Sequence, residues 1–303
     1  MKSIVTGGAG FIGSHLVDRL VELGHEVIVI DNESAICHDQ FYYNDNASYY
    51  LCDIAEYEEI RPLFKNVDYV FHLAAESRIQ PSIENPLLCV RTNTVGTSVI
   101  LQCARESGVK RVMYSSTSSA YGRKNIPPLV ETMPEDCLNP YSVAKVAGEK
   151  MCKMYSDLFG LETIIFRYFN VYGDREPTKG QYAPVVGLFM RQAKAGQPLT
   201  IVGDGEQRRD FTHVDDIVQA NLDAMGYIAK EDDEYFGTVF NVGTGINHSI
   251  KEIAALISDN VTFIPPRIGE SRITKASVNK IKKVFNWSAT KKIEDYIAEQ
   301  MSK

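Results

Sequence analysis

The chain has 303 residues, of which 44% are apolar, and its formal net charge is −7. This length and apolar content suffice for one large domain or two modest ones around a packed core. The negative charge excludes a broad basic surface for nucleic acid, so an anionic ligand would have to be bound by a few local arginines. The longest apolar runs are strand-sized, well below the roughly 18 residues of a membrane helix, and we expect no membrane association.

The start of the sequence and its cysteines indicate a compartment. Met1 and Lys2 lead directly into "SIVTGGAGFIG", a predicted strand and turn, so we expect no cleavable signal and a cytoplasmic location. The six cysteines form no CxxC motif, and no histidine stands at metal-ligand spacing from them. We therefore expect reduced structural thiols and no metal site.

Short β-branched runs alternate with helical periodicity up to about residue 115. "SIVTG", "EVIVID", "YVFHLA" and "RVMYSS" are predicted strands, and helices are predicted over residues 56–65, 87–107 and 141–159. Such alternation is typical of an α/β fold with a Rossmann-type, doubly wound parallel sheet.

The pattern changes after "TIIFRYFNVYG", where glycines, prolines and short strands surround one predicted helix at about 184–195. We expect a main domain over residues 1–170 and about 211–245. A smaller C-terminal lobe would be formed by residues from about 171–210 and 246–303.

The first strand ends in "TGGAGFIG", which opens the first helix. Gly8, Gly10 and Gly13 match GxGxxG, and Gly7, Gly10 and Gly13 match GxxGxxG. Glycines let the backbone turn tightly and approach a diphosphate at the helix N-terminus, where free N–H groups favour anions. A glycine-rich turn can also be merely a tight connection, so the motif alone is a weak signal.

An acidic residue follows the glycine motif at the distance typical of a residue that binds the adenosine ribose. Asp31 ends the second predicted strand, 18 residues after Gly13. A carboxylate there can accept hydrogen bonds from both adenosine ribose hydroxyls, although it could also only cap a turn. A 2′-phosphate would face Asp31 and Glu33 with no arginine beside it, so NAD is favoured over NADP.

Tyr141 and Lys145 stand four residues apart in a predicted helix and therefore share one of its faces. A nearby ammonium would lower the tyrosine pKa from about 10 and make the phenol a usable general base. The alternative is an exposed pair on a solvent face. The hydroxyl-rich "SSTSSAYG" follows a buried-looking strand at the sheet edge where doubly wound folds bind ligands, which favours the chemical interpretation.

Taken together, the motifs resemble a known family over essentially the whole chain. They are "TGGAGFIGSHLVDRL", "HLAA", "SSTSSAYG", "NPYSVAK", "RYFNVYG", "GDGEQRRDFTHVDDIVQA" and "FNVGTG", in this order. The order resembles that of the extended short-chain dehydrogenase/reductases, within them the NAD-dependent sugar-nucleotide epimerases and dehydratases, and most of all the UDP-hexose 4-epimerases. The resemblance implies NAD bound by the main domain and a UDP-sugar bound by the lobe.

The resemblance also implies catalytic roles. Tyr141 would take the proton of the sugar 4-hydroxyl, and Lys145 would hold the nicotinamide ribose. Thr117 would bridge Tyr141 and the sugar oxygen, and Ser118 and Ser119 would line the sugar.

Further binding residues follow from the same matches. Asn93 would lie near the cofactor or be a buried structural amide. Asn170 would contact the diphosphate, and Arg209 and Arg267 would bind it; the alternative for Arg209 is an ion pair with Asp210 or Asp204. The implied cofactor contacts, besides Tyr141 and Lys145, are Gly7, Gly10, Phe11, Ile12, Gly13, Asp31, Asn32, Asp53, Ile54, Leu73, Ala74, Ala75 and Asn93.

The loop after Thr117 bears on the reaction. In the related dehydratases an Asp-Glu pair stands there and removes water, whereas this chain has Ser118 and Ser119. Without a second acid or base, reversible oxidation at C4 is the chemistry best supported. A decarboxylase and a non-enzymatic NAD-binding protein remain as alternatives.

The sugar is predicted from one position. In the resembled enzymes a residue seven after the late arginine gates the space beside the sugar 2-substituent, and counting from Arg267 gives the small Thr274. This favours UDP-GlcNAc/UDP-GalNAc and also admits UDP-Glc/UDP-Gal. Arg78 could instead contact a uronic acid, so a UDP-glucuronate or UDP-pentose 4-epimerase stays open. The resemblance further suggests a homodimer through the helices at about 87–107 and 141–159.

Overall fold

Thirteen strands and eleven α-helices make up the part of the chain described by the computed structural model, residues 1–35, 38, 40–177, 183–228 and 235–303. The strands are β1 (Lys2–Thr6), β2 (Glu26–Asp31), β3 (Ala47–Leu51), β4 (Tyr69–His72), β5 (Arg111–Thr117), β6 (Glu162–Tyr168), β7 (Val171–Tyr172), β8 (Leu199–Val202), β9 (Arg208–Asp210), β10 (Thr212–His213), β11 (Thr238–Val242), β12 (Asn247–Ser249) and β13 (Val261–Ile264).

The α-helices are α1 (Phe11–Glu22), α2 (Tyr57–Ile60), α3 (Ile79–Glu84), α4 (Pro86–Val90), α5 (Thr97–Glu106), α6 (Pro140–Phe159), α7 (Val185–Lys194), α8 (Val214–Gly226), α9 (Ile250–Ala255), α10 (Asn279–Phe285) and α11 (Ile293–Ser302). Two 3₁₀ turns, Arg61–Phe64 and Ser118–Tyr121, follow α2 and β5. A π-helical segment, Arg91–Gly96, joins α4 to α5. Within the described ranges, no helix has the length and apolar character needed to cross a bilayer.

Seven parallel strands form the central sheet, in the order β11-β6-β5-β4-β1-β2-β3. Apolar clusters cover both of its faces. The neighbouring residues Ile4 and Val5 belong to opposite clusters, because successive side chains of a strand alternate between faces. The predicted Rossmann-type doubly wound sheet is therefore confirmed, and the reversal of strand order beside β1 places the ligand crevice at the carboxyl ends of β1 and β4.

A third apolar cluster holds the smaller C-terminal lobe together. It includes Phe189 of α7, Leu199 and Ile201 of β8, Ile253 of α9 and Ile297 of α11. The lobe also contains the strand pairs β8/β13 and β9/β12. Its predicted boundaries with the main domain remain predictions, and residues 178–182 and 229–234 of the assigned ranges lie outside the described residues.

The predicted helices are found close to their expected bounds. Residues 56–65 form α2 and a 3₁₀ turn, 141–159 fall within α6, and 184–195 correspond to α7. The predicted helix over 87–107 is α4 and α5 with the π-helical segment between them. That local widening was not predicted, since apolar periodicity does not distinguish one extra residue in a turn.

Candidate active site

A cavity of about 530 Å³ lies at the carboxyl ends of the central strands and reaches into the C-terminal lobe. Most of the predicted site residues line it: Gly7, Gly10, Phe11, Ile12, Gly13, Asp31, Asn32, Ile54, Leu73, Ala74, Ala75, Ser118, Ser119, Tyr141, Lys145, Asn170, Arg209, Arg267 and Thr274. Three predicted residues, Asp53, Asn93 and Thr117, lie behind this lining.

The glycine turn after β1 forms one end of the cavity. Gly7 has φ +70°, and a Cβ there would lie 2.8 Å from the Ala74 amide nitrogen. A Cβ on Gly13 would lie 2.1 Å from the Gly7 carbonyl oxygen, so only glycine lets α1 approach the turn. Gly10 caps α1 without a side-chain hydrogen bond, which leaves first-turn N–H groups for an anion. This cradle fits the diphosphate of a dinucleotide.

Asp31 lies at the end of β2 on the same wall. Its carboxylate accepts hydrogen bonds from the amides of Ala9 at 3.0 Å and Glu33 at 2.9 Å. Burial raises the pKa of Asp31, an effect opposed by these two amides. The carboxylate is therefore held at the rim of the glycine turn, where it can accept from ribose hydroxyls.

Tyr141 and Lys145 meet in the cavity because α6 begins just before them. Asn139 caps the helix by accepting from the Ser142 amide at 2.9 Å. The Lys145 side chain is buried, and its Nζ donates to the Ser115 carbonyl oxygen of β5 at 2.8 Å. The pair thus faces the strand ends rather than a solvent face.

The protonation of this pair differs from the sequence prediction. Burial raises the pKa of Tyr141 to about 12, opposed by a hydrogen bond with Thr117. Burial also lowers the pKa of Lys145 to about 8. The predicted lowering of the Tyr141 pKa is not found in the protein by itself, because removing the phenol from water outweighs the favourable contacts.

Thr117 supports Tyr141 from behind the cavity wall. It is the last residue of β5, and its Oγ1 accepts from the Ser119 amide at 3.1 Å. The same side chain lies close enough to the Tyr141 phenol to oppose the rise of its pKa. Thr117 therefore joins the end of β5 to the phenol, and Ser118 and Ser119 continue into the cavity lining.

Asp53 and Asn93 are occupied by structural contacts. Asp53 accepts from the Ala55 amide at 2.9 Å and forms an ion pair with Arg91. Asn93, in the π-helical segment, accepts from the Glu76 amide at 2.8 Å and donates to the Glu76 carbonyl oxygen at 2.9 Å. These contacts match the alternative role named for Asn93, a buried structural amide that shapes the loop after β4.

Polar residues from the end of the main domain and from the lobe also line the cavity. Asn170 Nδ2 donates to the Asp210 carbonyl oxygen at 3.0 Å and approaches Thr274 Oγ1 at 3.5 Å. Arg209 forms an ion pair with Glu270 at 3.3 Å. The suggested pairing of Arg209 with Asp210 or Asp204 is wrong.

The two acids suggested for Arg209 have other partners. Asp210 accepts from the amides of Thr244 and Gly245, at 2.8 and 2.9 Å. Asp204 pairs with Arg272 at 2.7 Å. The guanidinium of Arg209 therefore remains on the cavity wall, where it can bind phosphate oxygens.

Besides Glu270, the partner of Arg209, two acids that no sequence motif marked line the cavity, Glu76 and Glu176. Burial raises the pKa of both, that of Glu176 to about 8. Glu76 lies four residues after the end of β4, in the loop at the carboxyl edge of the sheet, and this position could have identified it. No local pattern marks Glu176, which lies in irregular chain between β7 and α7.

Comparisons with known proteins agree with this geometry. The sequence model of the NAD-dependent epimerase/dehydratase family matches residues 3–243. A putative UDP-glucose 4-epimerase of Methanocaldococcus jannaschii is 36% identical over 86% of this chain and 82% of its own length. The UDP-glucose 4-epimerase of Mycolicibacterium smegmatis is 34% identical over 99% and 97%, and a UDP-glucuronate 4-epimerase of Thermodesulfobacterium geofontis is 31% identical over 96% and 92%.

Solved structures show the same fold. The UDP-glucose 4-epimerase of Thermotoga maritima with UDP-glucose superposes with a TM-score of 0.92 at 35% identity, over 100% of this chain and 98% of that one. The UDP-glucose 4-epimerase of Thermus thermophilus in complex with NAD gives a TM-score of 0.89 at 28% identity, over the same shares.

Proposed function

The chain belongs to the NAD-dependent epimerase/dehydratase family, and on that premise we propose that it interconverts the C4 epimers of a UDP-sugar through a 4-keto intermediate. UDP-GlcNAc and UDP-GalNAc are the proposed preferred pair, with UDP-Glc and UDP-Gal as further substrates. NAD is the cofactor of this family.

The residues of the main domain fit NAD. The turn from Gly7 to Gly13 would receive its diphosphate, Asp31 its adenosine ribose, and Lys145 its nicotinamide ribose. When bound, NAD supplies the acceptor for the hydride that leaves C4 and returns to the opposite face of the sugar.

Tyr141 is proposed as the base that takes the C4 hydroxyl proton and later gives it back. Its half-buried side chain lines the cavity near Thr117 at the end of β5, so the phenol is placed to exchange a proton with a bound sugar. Lys145 is fixed by the Ser115 carbonyl oxygen and brings a positive charge to the same wall. Asn170, Arg209 and Arg267 would hold the diphosphate while the flat keto sugar turns.

Ser118 and Ser119 support epimerisation over elimination. They line the cavity at the positions where the resembled dehydratases carry an acid and a base. A serine hydroxyl is a poor proton donor or acceptor at neutral pH, so loss of water or carbon dioxide lacks its catalytic pair here.

The position of Thr274 carries the proposal for the sugar. Thr274 is buried, lines the cavity and lies beside Asn170, the expected contact of the diphosphate. A side chain this small leaves space for an acetamido group. A second candidate, a UDP-glucuronate 4-epimerase, is favoured by Arg78, because this cation also lines the cavity.

The first experiment incubates the purified protein with UDP-GlcNAc, UDP-Glc, UDP-GlcA and UDP-xylose and resolves the products by proton NMR. We expect conversion of UDP-GlcNAc to UDP-GalNAc. Thr274→Tyr should lower turnover of UDP-GlcNAc about 10- to 200-fold while sparing UDP-Glc, because a bulky ring fills the acetamido space. Thr274→Ser is the matched control and should keep both activities.

The outcomes separate the candidates. Turnover of UDP-GlcA alone would favour the UDP-glucuronate 4-epimerase over the hexosamine enzyme. Unchanged turnover of UDP-GlcNAc by Thr274→Tyr would refute the proposed role of Thr274 in admitting the acetamido group. Release of carbon dioxide would indicate a decarboxylase.

We also propose a homodimer. The outer faces of α4, α6 and the π-helical segment expose Leu87 at 83%, Val95 at 48%, Val143 at 54% and Leu158 at 69%. Apolar side chains grouped on two neighbouring helices are typical of a face that packs against a second copy.

A further inference from the structure

Glu176 contributes a buried carboxyl group to the cavity wall. It is 7% exposed, and neither carboxyl oxygen forms a hydrogen bond within the part of the chain that the structure describes. The side chain lines the cavity together with Asn170 and Arg78. Buried polar atoms are almost always paired, so these oxygens indicate a contact that a ligand completes.

The backbone beside Glu176 adopts an unusual conformation. The preceding residue, Arg175, has φ +64° and forms an ion pair with Asp18 on α1 at 2.7 Å. A non-glycine residue in this left-handed conformation is strained, and such strain concentrates at functional sites. Gly187 on α7 leaves room for the carboxyl group, since a Cβ there would lie 3.2 Å from Glu176 Cδ.

The polar groups near the carboxyl offset the effect of its burial only in part. The backbone amides of Gly173 and Gly187 and the charge of Arg78 lower its pKa, but burial is the larger effect and raises the pKa to about 8. The phenols of Tyr172 and Tyr296 also face it, and Glu176 contributes to the raised pKa of each.

Other charges near Glu176 lie on its outer side. Asp174 accepts a hydrogen bond from Gln300 at 3.0 Å. Arg191 and Lys194 of α7 line a second groove, and Glu176 lies in the wall between this groove and the cavity, since it lines both. An acid in this position gains little from these cations, because they face solvent.

We propose that Glu176 is a specificity-determining residue that binds substrate as a neutral carboxylic acid, donating a hydrogen bond to an uncharged oxygen of the sugar nucleotide. This inference rests on the proposed function. Only the protonated acid has an O–H to donate. The ionised form would instead repel the anionic diphosphate across a cavity of low dielectric, so deprotonation should weaken binding rather than slow the chemical step.

The test compares wild type, Glu176→Gln and Glu176→Leu by KM and kcat against pH with UDP-GlcNAc. Wild-type KM should rise about tenfold per pH unit above about 8 while kcat changes less. Glu176→Gln keeps a neutral donor of similar shape and should remove this rise. Glu176→Leu should raise KM about tenfold at pH 7, the loss of one hydrogen bond.

Two controls isolate Glu176. Asp174→Asn removes a nearby charge outside the cavity and should keep the wild-type KM profile. Lys145 also has its pKa near 8, but it is unchanged in every variant, so only a difference between wild type and Glu176→Gln reports on Glu176. An identical rise of KM in both would overturn the inference.

Calorimetric binding of UDP-GlcNAc at pH 6.5 and 9 separates this inference from the proposed function. Binding that weakens with pH in wild type but not in Glu176→Gln supports the inference even if no epimer forms. Epimerisation with pH-independent binding supports the function and overturns the inference. Absence of binding at both pH values overturns both.

A purely structural acid would alter the stability of the protein without altering KM. Because the pKa of Glu176 lies above its ordinary 4.5, the stability contributed by the neutral acid is full below about 4.5 and lost as pH rises through about 8. Thermal unfolding should show this loss in wild type alone. A variant that changed only the unfolding temperature, with KM unaltered, would refute a role in binding.

Discussion

Tyr141 is half-buried in the cavity wall, and the loss of water around its phenol raises the pKa to about 12, so it is protonated across the neutral pH range in the protein by itself. The nearby Lys145 ammonium is already engaged by the Ser115 carbonyl oxygen. We infer that the phenol becomes an effective base only in the complex with cofactor and substrate, where a further positive charge favours the phenolate.

Removing the Tyr141 hydroxyl should therefore remove the base and little else. Tyr141→Phe should lower kcat about 10²- to 10⁴-fold, the usual contribution of a positioned general base, while NAD binding is retained. The measurement is turnover of UDP-GlcNAc with bound nucleotide determined after denaturation. Tyr50→Phe, on β3 and 41% exposed, is the matched control and should turn over normally. Normal turnover by Tyr141→Phe would refute the proposed mechanism.

At the scale of elements, α6 is fastened to the sheet by a buried ion pair below the catalytic residues. Glu149 accepts from Arg167 of β6 at 2.9 and 2.6 Å, and both side chains are buried. The Ser116 hydroxyl of β5 also donates to Glu149. Since Lys145 lies one turn earlier on α6, this contact sets the distance between the helix and the end of β5.

Breaking this pair should cost far more than breaking an exposed one on the same helix. Glu149→Ala leaves the buried Arg167 with only a longer ion pair to Glu135 at 3.9 Å, and we expect a loss of about 3–5 kcal/mol in the free energy of unfolding. Asp157→Ala, which removes the exposed pair with Lys153, is the control and should cost about 0.5 kcal/mol or less. Urea unfolding measures both, and similar losses would show that the buried pair does not fasten α6.

At the scale of the whole molecule, the proposed homodimer places α4 and α6 of two copies against each other. Leu158→Glu should shift the protein from dimer to monomer in sedimentation velocity, because a carboxylate in an apolar interface loses its hydration. Ile126→Glu is the control, since Ile126 is 80% exposed on a different surface. A wild-type monomer, or a Leu158→Glu dimer as stable as wild type, would contradict the proposal.

The sequence by itself determined the architecture and the cofactor end of the site. Three patterns carried these predictions: the strand and helix periodicities, the glycines from Gly7 to Gly13 and the Tyr141/Lys145 spacing. Each of them depends only on residues within one strand, turn or helix. The structure accordingly places these residues together at the strand ends.

Only the tertiary structure decided the electrostatics and the partners of the remaining residues. The pKa of Tyr141 depends on how far the fold removes the phenol from water. This loss of hydration raises the pKa by more than the lowering that the Tyr141/Lys145 spacing in α6 predicted. Arg209 pairs with Glu270, 61 residues away, rather than with its sequence neighbours. Glu176 enters the cavity because β7, α7 and the loop after β4 converge there, and no window of the sequence contains all three.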